Sequence, residues 1–423
     1  MMSFEEKLLD DIFNSKFNFE LHNKIGIHTY EIYLRMCREL FIPIFEHVKS
    51  YVFQRSKTNH HFLILYKDYF EHANVYTVFA KWTTNIFIEI EPGVSIKLGV
   101  YGEIAHVHMV FNPILVVEAN SKHFIASEYD YTQITPHDFR KWREFDQLSR
   151  AILSRWHIPN SKMDKISLTR IDTCVNIDLL DVTVSDLLEY FRLVNKRCGY
   201  EVYKFKNSDH DDHHVLVYTG KLKLSIYDKT EEQRAKFDRN YRGNILRIEV
   251  QLEGDKILKE FSKFTDIYAN AIHKGYNIVD IVFEAAQYAP LIIYDAIDSV
   301  FPDGNFHTRK DAIQILSEAN IRESTKNRCI DFVDSLSRIT TYEGISNKIN
   351  QFRESTSDNV YRMILRTLEK YDIEPYWLKA NSQYNLLPGL KSVYASAIRN
   401  SYEELNYIGY ILEYINRYYK KDE

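Results

Sequence analysis

The chain has 423 residues, of which 45% are hydrophobic and 27% charged, and its formal net charge is -5. This composition is typical of a folded globular protein and excludes a disordered chain or a collagen-like repeat. The length predicts two domains, or one large domain with an appendage. The negative net charge disfavours a protein that coats nucleic acid, but it is compatible with a local basic cleft.

No segment of the sequence has the pattern of a targeting or membrane segment. The N-terminal stretch MMSFEEKLLDDIFNSKF mixes acidic residues into its apolar ones, and no later window reaches the length of a membrane span. The four cysteines are scattered without any CxxC spacing, which disfavours a disulfide framework or a zinc ribbon. We therefore expect a protein of a reducing cytoplasm that has no membrane partner.

The first part of the chain contains helical and β-type patterns in turn. Residues 1 to about 55 show apolar residues at helical spacing, as in TYEIYLRMCRELFIPIFEHVKSYVF, and predict helix. Short alternating runs from HHFLILY to HVHMVFNP then predict strands. A further helix is predicted for TPHDFRKWREFDQLSRAILSRWHI, beginning near Thr135 and Pro136.

A second group of strands follows this helix. Strands are predicted for KISLTRIDTCVNI, YEVYKFK, HVLVYTG, KLKLSIYD and NILRIEVQL, and a helix for TVSDLLEYFRLVNKR. The β signal disappears after EGDKILKEFSKF. The sequence therefore predicts an α+β domain with a mainly antiparallel sheet over residues 1–265, followed by an α-helical domain over residues 266–423.

Three of the predicted strands combine an apolar face with a polar one, because side chains alternate along a strand. Their polar faces contain acids, bases and a tyrosine: Arg170, Asp172 and Asn176 in TRIDTCVNI, Lys223, Ser225, Tyr227 and Lys229 in KLKLSIYDK, and Arg247 and Glu249 in LRIEVQL. Taken alone, such a face is most often a solvated face or an ion pair, and we expect all three faces to be open to solvent. The segment 221–242 also has more basic than acidic residues, unlike the whole chain.

The acids and the tyrosine form a combination that suits phosphodiester chemistry. A hard divalent metal such as Mg²⁺ or Mn²⁺ prefers oxygen ligands. Three carboxylates could supply them, those of Asp172, Glu232 and Glu249. The hydroxyl of Tyr227 could then attack a phosphodiester that the metal polarises, which would leave a phosphotyrosine. Either Lys229 or Lys223 would stabilise the phenolate or the charge on the phosphoryl group.

Three motifs in a fixed order resemble a known signature. They are TRID at 169–172, IYDKTEE at 226–232 and LRIEVQL at 246–252. In this order they resemble the motifs of rolling-circle replication initiators, which include the gene II proteins of filamentous phages and the plasmid initiators of the Rep_trans type. The resemblance implies that Tyr227 is the DNA nucleophile and that the three carboxylates hold the metal. HMVFNPILV and IEPYWLKANSQYNLLPGL are also similar to segments of this family, so the resemblance extends from about residue 75 onward.

The sequence departs from the family pattern at two positions. Asn176 stands where many plasmid relatives have an aspartate, and Ser225 stands where an arginine often precedes the Ile-Tyr pair. Phosphate binding is then left to Lys221, Lys223 or Arg234. The predicted DNA-binding residues are basic side chains in or beside the motifs: Arg170, Lys223, Arg234 and Arg247.

Histidines provide two further candidate metal sites. His106 and His108 are similar to the His-hydrophobic-His ligands of the wider nickase superfamily, and both are candidate ligands. A second run, NSDHDDHHV at 207–215, lies between two predicted strands. We interpret it as a polar loop, with transition-metal binding as the alternative. Its candidate ligands are Asp209, His210, Asp211, Asp212, His213 and His214.

The resemblance implies a rolling-circle DNA replication initiator that nicks and rejoins DNA at a specific origin through a 5'-phosphotyrosine intermediate. Its DNA would be single-stranded or extruded, and its location the cytoplasm of a bacterial host. The chain has no GxxxxGK[ST] sequence, so strand separation would need a host helicase, and a host polymerase would extend the free 3'-hydroxyl. The helical domain would serve DNA binding, homo-oligomerisation or partner docking. Two alternatives are a relaxase of an integrative or conjugative element and a non-catalytic, prophage-derived DNA-binding protein.

Overall fold

The computed structural model describes residues 4–57, 60–121, 133–158, 166–193, 201–202, 214–219, 222–237, 243–266 and 277–415. The chain forms two compact units, each built from separate segments. The first unit comprises Met1–Lys24, Val175–Val250 and Pro290–Asn416, and the second comprises mainly Ile25–Cys174 and Gln251–Ala289. Both units contain strands and helices, and the predicted boundary at residue 265 stays a prediction.

The described elements alternate between helix and strand until the chain becomes mainly helical. The N-terminal elements are α1 (Phe4–Asn14), β1 (Glu20–Cys37), α2 (Arg38–Ser56), α3 (His60–Glu71), β2 (Lys81–Thr83), β3 (Ile88–Glu91), β4 (Val94–Tyr101), β5 (Ile104–Phe111), α4 (Pro113–Ala119) and α5 (Phe139–Arg155). The central elements are β6 (Ile166–Asp178), α6 (Val184–Phe191), β7 (Glu201–Val202), β8 (His214–Thr219), β9 (Leu222–Asp228), α7 (Lys229–Phe237), β10 (Ile245–Glu253) and α8 (Asp255–Phe261). The C-terminal elements are α9 (Ile278–Val300), β11 (Phe306–His307), α10 (Arg309–Glu318), α11 (Glu323–Leu336), α12 (Tyr342–Ser355), α13 (Asp358–Lys370), β12 (Leu386–Leu387), α14 (Leu390–Arg399) and α15 (Tyr402–Tyr414). The predicted α+β class, with a mostly antiparallel sheet and many helices in the C-terminal region, is confirmed.

The sheet of the second unit has the strand order β2-β4-β5-β1-β6, with β3 beside β4. The strands β4 and β5 form an antiparallel hairpin, and β5 pairs antiparallel with β1 on its other side. Gly102 lies in the hairpin turn with a φ of 60°, a left-handed conformation that glycine adopts without the steric cost of a side chain. Helix α2 packs against β5. The apolar side chains of β5 at Val107 and Met109 are fully buried, while its histidines lie on the opposite face.

The first unit contains the strand order β6-β10-β9-β8-β7. Strands β8 and β9 form an antiparallel hairpin that pairs residues from His214↔Tyr227 to Thr219↔Leu222. Helix α6 packs against both strands of this hairpin. Strand β9 runs directly into helix α7, so the helix begins two residues after Tyr227, at Lys229.

The C-terminal helices of the first unit enclose a buried group of charges. Lys391, on α14, is 4% exposed and its ammonium contacts the carboxylates of Asp298 and Asp303. Lys7, on α1, pairs with the same two carboxylates at 2.7 and 2.6 Å. These ion pairs connect α1 and α14, which also pack directly against each other. None of the described helices is both long and apolar enough to cross a membrane.

Two elements differ from the sequence prediction. The segment TYEIYLRMC lies in β1 rather than in a helix, with Tyr30, Ile32 and Leu34 buried and the residues between them on the outer face. The pattern therefore has period two, which the apolar residues of the following helix α2 obscured. Conversely, HHFLILY lies in α3 rather than in a strand, since a short apolar run does not distinguish the two by its pattern.

Candidate active site

Tyr227 lies near the end of β9, opposite His214 at the start of β8. The two rings contact edge to face, with centroids 5.3 Å apart and an interplanar angle of 61°. Leu224 and Ile226 are fully buried on the other face of β9, which fixes the side of the strand on which Tyr227 lies. Tyr227 itself is half-buried, so its ring packs against the protein while the residue keeps contact with solvent.

The hydroxyl of Tyr227 contacts a carboxylate on the neighbouring strand. It donates a long hydrogen bond to Glu249 on β10, with 3.4 Å between Oη and Oε2. The same carboxylate oxygen accepts a hydrogen bond from Nε of Arg247 at 3.2 Å. The side chain of Arg247 is 0% exposed and that of Glu249 is 16% exposed. A fully buried cation therefore holds the carboxylate that faces the tyrosine hydroxyl, and Arg247, a predicted DNA-binding residue, contacts Glu249 here.

Helix α7 begins directly after β9 and carries two more predicted site residues. Asp228 caps its first turn, since the carboxylate accepts a hydrogen bond from the backbone N–H of Glu231 at 3.0 Å. Nζ of Lys229 lies 2.5 Å from Oε2 of Glu232, one helical turn further on. The side chains are 7% and 22% exposed, respectively. Lys229 and Glu232 are thus a mutually neutralised pair in a largely covered setting.

His214 was expected only as a candidate ligand of the polar run 207–215, and its position opposite Tyr227 was not predicted. Burial lowers its pKa to about 4; Lys223 also lowers it, and the fields of Glu249 and Glu232 raise it. The imidazole is therefore neutral at pH 7, in the electrostatic field of the two glutamates. The rest of the ligand-rich run, 209–213, lies outside the described residues. The interpretation of that run as a loop stays a prediction, but His214 itself is in a strand.

Two predicted DNA-binding residues of the first unit lie nearer to solvent. Lys223 is half-buried, with Nζ 5.6 Å from the centre of the Tyr218 ring on the paired strand β8. Arg234 is exposed on α7 and pairs with the carboxylate of Glu231. Their placement leaves both cations within reach of a ligand that approaches from solvent.

The other predicted metal ligands belong to the second unit. Asp172 is fully buried and accepts two hydrogen bonds from Arg170, at 2.8 Å from Nε and 2.5 Å from Nη2, and a further one from Thr29. A bidentate arginine both neutralises this carboxylate and fixes its orientation. Arg170, predicted to bind DNA, is half-buried and is the cation of this pair.

His106 and His108 form hydrogen bonds with β1 of the same unit. His108 Nδ1 lies 2.7 Å from Oε1 of Glu31, and His106 Nδ1 shares a hydrogen bond with the hydroxyl of Tyr33. Both histidines are half-buried. Their side chains lie on one face of β5, as the alternation predicts, and each already has a polar partner.

The prediction that the polar faces of β6 and β10 are open to solvent is wrong. From Ile171 to Ile177 every residue of β6 is buried, and on β10 Glu249 is the half-buried member of an otherwise buried run from Ile245 to Leu252. Alternation predicts which residues share a face, but it does not predict whether other elements cover that face. The charged residues of these faces satisfy one another by forming ion pairs.

A divalent metal would need several donor atoms brought together at one place. Among the described residues, no group of three or more His, Cys, Asp or Glu side chains is arranged to hold a metal ion. Mg²⁺, however, usually binds one or two carboxylates and completes its shell with water and substrate phosphate. Glu232 and Glu249 of the first unit supply two carboxylates of this kind. The amide of Gln233, next to Glu232 on α7, is fully buried and makes no hydrogen bond within the described part of the chain. Hard oxygen donors are therefore present, and they fit Mg²⁺ or Mn²⁺ better than a closed zinc site.

Comparison with known proteins leaves the function to be argued from the site. No protein-family model matches this chain. No curated protein matches it significantly either.

Proposed function

We propose that this protein is a metal-dependent DNA nicking-joining enzyme of the rolling-circle initiator type, with Tyr227 as the nucleophile. The observation that carries the proposal is the contact between the Tyr227 hydroxyl and the Glu249 carboxylate, which Arg247 holds from the buried side. A tyrosine hydroxyl needs a group that accepts its proton and a group that stabilises negative charge. Glu249 would be the acceptor, and Lys229 is the nearest cation along the chain.

The reaction would be a transesterification. The oxygen of Tyr227 forms a new bond to the phosphorus of a DNA phosphodiester, and the bond from that phosphorus to the 3'-oxygen breaks. The phenol proton passes to the Glu249 carboxylate, and the departing 3'-oxygen takes up a proton to become a free hydroxyl. The products are a 5'-phosphotyrosine and a 3'-hydroxyl, and the reverse reaction rejoins the strand.

A bound Mg²⁺ or Mn²⁺ would polarise the phosphodiester and offset its charge. In the first unit Glu232 and Glu249 would hold it. Asp172 and the pair His106 and His108 remain proposed ligands because the resemblance implies them. Each of them has a hydrogen-bond partner in the second unit that a metal would have to replace or share.

The setting of the reaction follows from the same resemblance. We propose that residues 1–265 form the nicking-joining domain and residues 266–423 a helical domain for DNA binding, partner docking or homo-oligomerisation. The substrate would be a single-stranded or extruded origin in the cytoplasm of a bacterial host. A host helicase and a host polymerase would then act on the nicked strand.

The test isolates one hydroxyl group. End-labelled single-stranded oligonucleotides that tile the DNA around the coding sequence are incubated with the full chain and Mg²⁺, and both cleavage and the covalent protein–DNA adduct are measured. Tyr227→Phe should abolish both, because it removes the attacking oxygen and keeps the ring. Tyr218→Phe, a half-buried tyrosine on the paired strand, is the matched control and should keep both. An adduct that persists in Tyr227→Phe would refute the assignment.

A further inference from the structure

One face of the sheet in the second unit places aromatic rings and cations side by side. The register pairs His106 with Arg35 and His108 with Tyr33 on β1. Along its other edge, β5 pairs with β4. The members of this face, called the ring face below, are Lys81 on β2, Lys97 and Tyr101 on β4, His106 and His108 on β5, and Glu31, Tyr33 and Arg35 on β1. The intervening residues of β1, β4 and β5 are buried on the opposite side of the sheet.

The rings of this face form a continuous row across three strands. The centroid of Tyr101 is 5.8 Å from that of His106, His106 is 5.5 Å from Tyr33, and Tyr33 is 4.8 Å from His108. Tyr101 is 48% exposed, and the other three rings are half-buried. Such a row offers several aromatic surfaces to one extended ligand.

The charge of the ring face is positive although the chain as a whole is negative. Arg35 and Lys81 are exposed, and Lys97 is half-buried. Nζ of Lys81 lies 6.0 Å from the centre of the Tyr101 ring, so cation and ring are adjacent. The acid of this face, Glu31, is 15% exposed and is engaged by His108. A ligand at this face would therefore contact cations and rings, while the carboxylate of Glu31 is paired with His108.

We propose that the ring face binds a single-stranded nucleic acid, with its bases stacked on the rings and its phosphates paired with the cations. The row of rings lies beside Lys81, Lys97 and Arg35, so one face offers stacking surfaces for bases and cations for phosphates. A duplex keeps its bases stacked inside and cannot use the rings in this way, so single strands should bind more tightly. The inference rests on the proposed function for its biological role, but the binding itself does not require Tyr227 chemistry.

Binding is measured with the full chain carrying Tyr227→Phe, which separates it from cleavage. The probe is a fluorescent oligothymidylate of about 15 nucleotides, long enough for a stacking site of ordinary size. Removing two rings with Tyr33→Ala and Tyr101→Ala should weaken binding at least about tenfold. Tyr33→Phe keeps the ring and should bind within about twofold of the parent. Tyr402→Ala, a tyrosine 78% exposed on α15, is the control for any exposed ring and should have no effect.

A second arm tests the cations and remains informative if the double variant is unstable. Arg35→Ala should lower the slope of log K against log salt by about 0.7, the loss of one phosphate contact on a single strand. The affinity for oligouridylate, compared with that for oligothymidylate, shows whether the face prefers RNA or DNA. The proposal that the ring face binds a single strand would be overturned by any of three results. These are unchanged binding in the double variant, an unchanged salt slope, and tighter binding to duplex. Cleavage or an adduct that persists in Tyr227→Phe, with the binding results as expected, would overturn only the assignment of Tyr227.

Discussion

The Tyr227 site and the ring face use similar residue types in opposite settings. Around Tyr227 the charges are paired and covered, with Arg247 fully buried against Glu249 and Lys229 nearly buried against Glu232. On the ring face the cations lie at the surface, and Tyr101 is about half exposed. Covered pairs fix a few atoms in place, which chemistry requires, whereas open rings adapt to a flexible strand. The setting of the residues therefore indicates the role more clearly than their types do.

The largest expected difference between the two regions is in their response to chelation. Excess EDTA should abolish cleavage, because the proposed metal polarises the phosphodiester at the Tyr227 site. Binding of the oligothymidylate probe to the Tyr227→Phe protein should stay within about twofold, since the tyrosines and cations of the ring face are not among the proposed metal ligands. Cleavage is followed on sequencing gels and binding by fluorescence anisotropy, with Mg²⁺ added back as the control. Full cleavage in EDTA would contradict the metal proposal.

The next effect concerns the stability of the covered charges. Arg247→Met should lower the free energy of unfolding by about 3 kcal/mol, because it leaves Glu249 with an uncompensated charge in a covered position. Adding Glu249→Gln should restore much of that loss. Arg234→Met is the matched control, since its pair with Glu231 is exposed and should contribute less than about 1 kcal/mol. Urea unfolding measures all three variants, and equal losses for Arg247→Met and Arg234→Met would contradict the buried pair.

A smaller effect should appear as a pH dependence. Burial lowers the pKa of His214 to about 4, so the unfolded chain, whose histidine titrates near 6.5, takes up the proton first as the pH falls. The stabilising contribution of the neutral His214 is fully present above about pH 6.5 and is lost towards about pH 4, on the order of 3 kcal/mol in total. His214→Phe keeps the ring contact with Tyr227 but cannot titrate, so its unfolding free energy should fall less over this range. A variant whose pH dependence equals that of the parent would show that His214 does not titrate in this way.

The smallest effect is expected on the ring face. Tyr101→Ala removes a side chain that is 48% exposed and should change the free energy of unfolding by about 0.5 kcal/mol or less. The same substitution should contribute to the loss of oligonucleotide binding. At this position, binding would therefore be weakened while the free energy of unfolding hardly changes. Chemical denaturation measures the free energy of unfolding of this variant. A stability loss above about 1.5 kcal/mol would show that the ring has a structural role.

Much of the local structure around Tyr227 could be predicted from the sequence. Period-two alternation predicted β6, β8, β9 and β10, and it placed Tyr227 and Lys223 on one face of β9. The predicted strand HVLVYTG also begins at His214, as the structure has it, and the register of β8 with β9 places this residue opposite Tyr227. Its place beside Tyr227 was not predicted, because His214 also belongs to an acidic and histidine-rich run that is typical of a loop.

Burial could not be predicted in the same way. The alternation in LRIEVQL shows that Arg247 and Glu249 share a face, but whether that face is covered depends on elements distant in sequence. The ring face was hidden for a different reason. Its strand β1 was predicted as helix, so Tyr33 and Arg35 were not placed beside His106 and His108. In both cases the missing information is long-range pairing, which a single sequence does not contain.

The packing of α1 against α14 has a consequence for synthesis on the ribosome. Leu8 and Ile12 of α1 are fully buried in a unit whose other segments include Pro290–Asn416. The strands that carry Tyr227 and Glu249 therefore emerge before the helices that complete their unit. Until then the apolar side of α1 has no native cover from α14, and the nascent chain would be a substrate for chaperones. The proposed nucleophile would thus become part of a complete unit only late in translation.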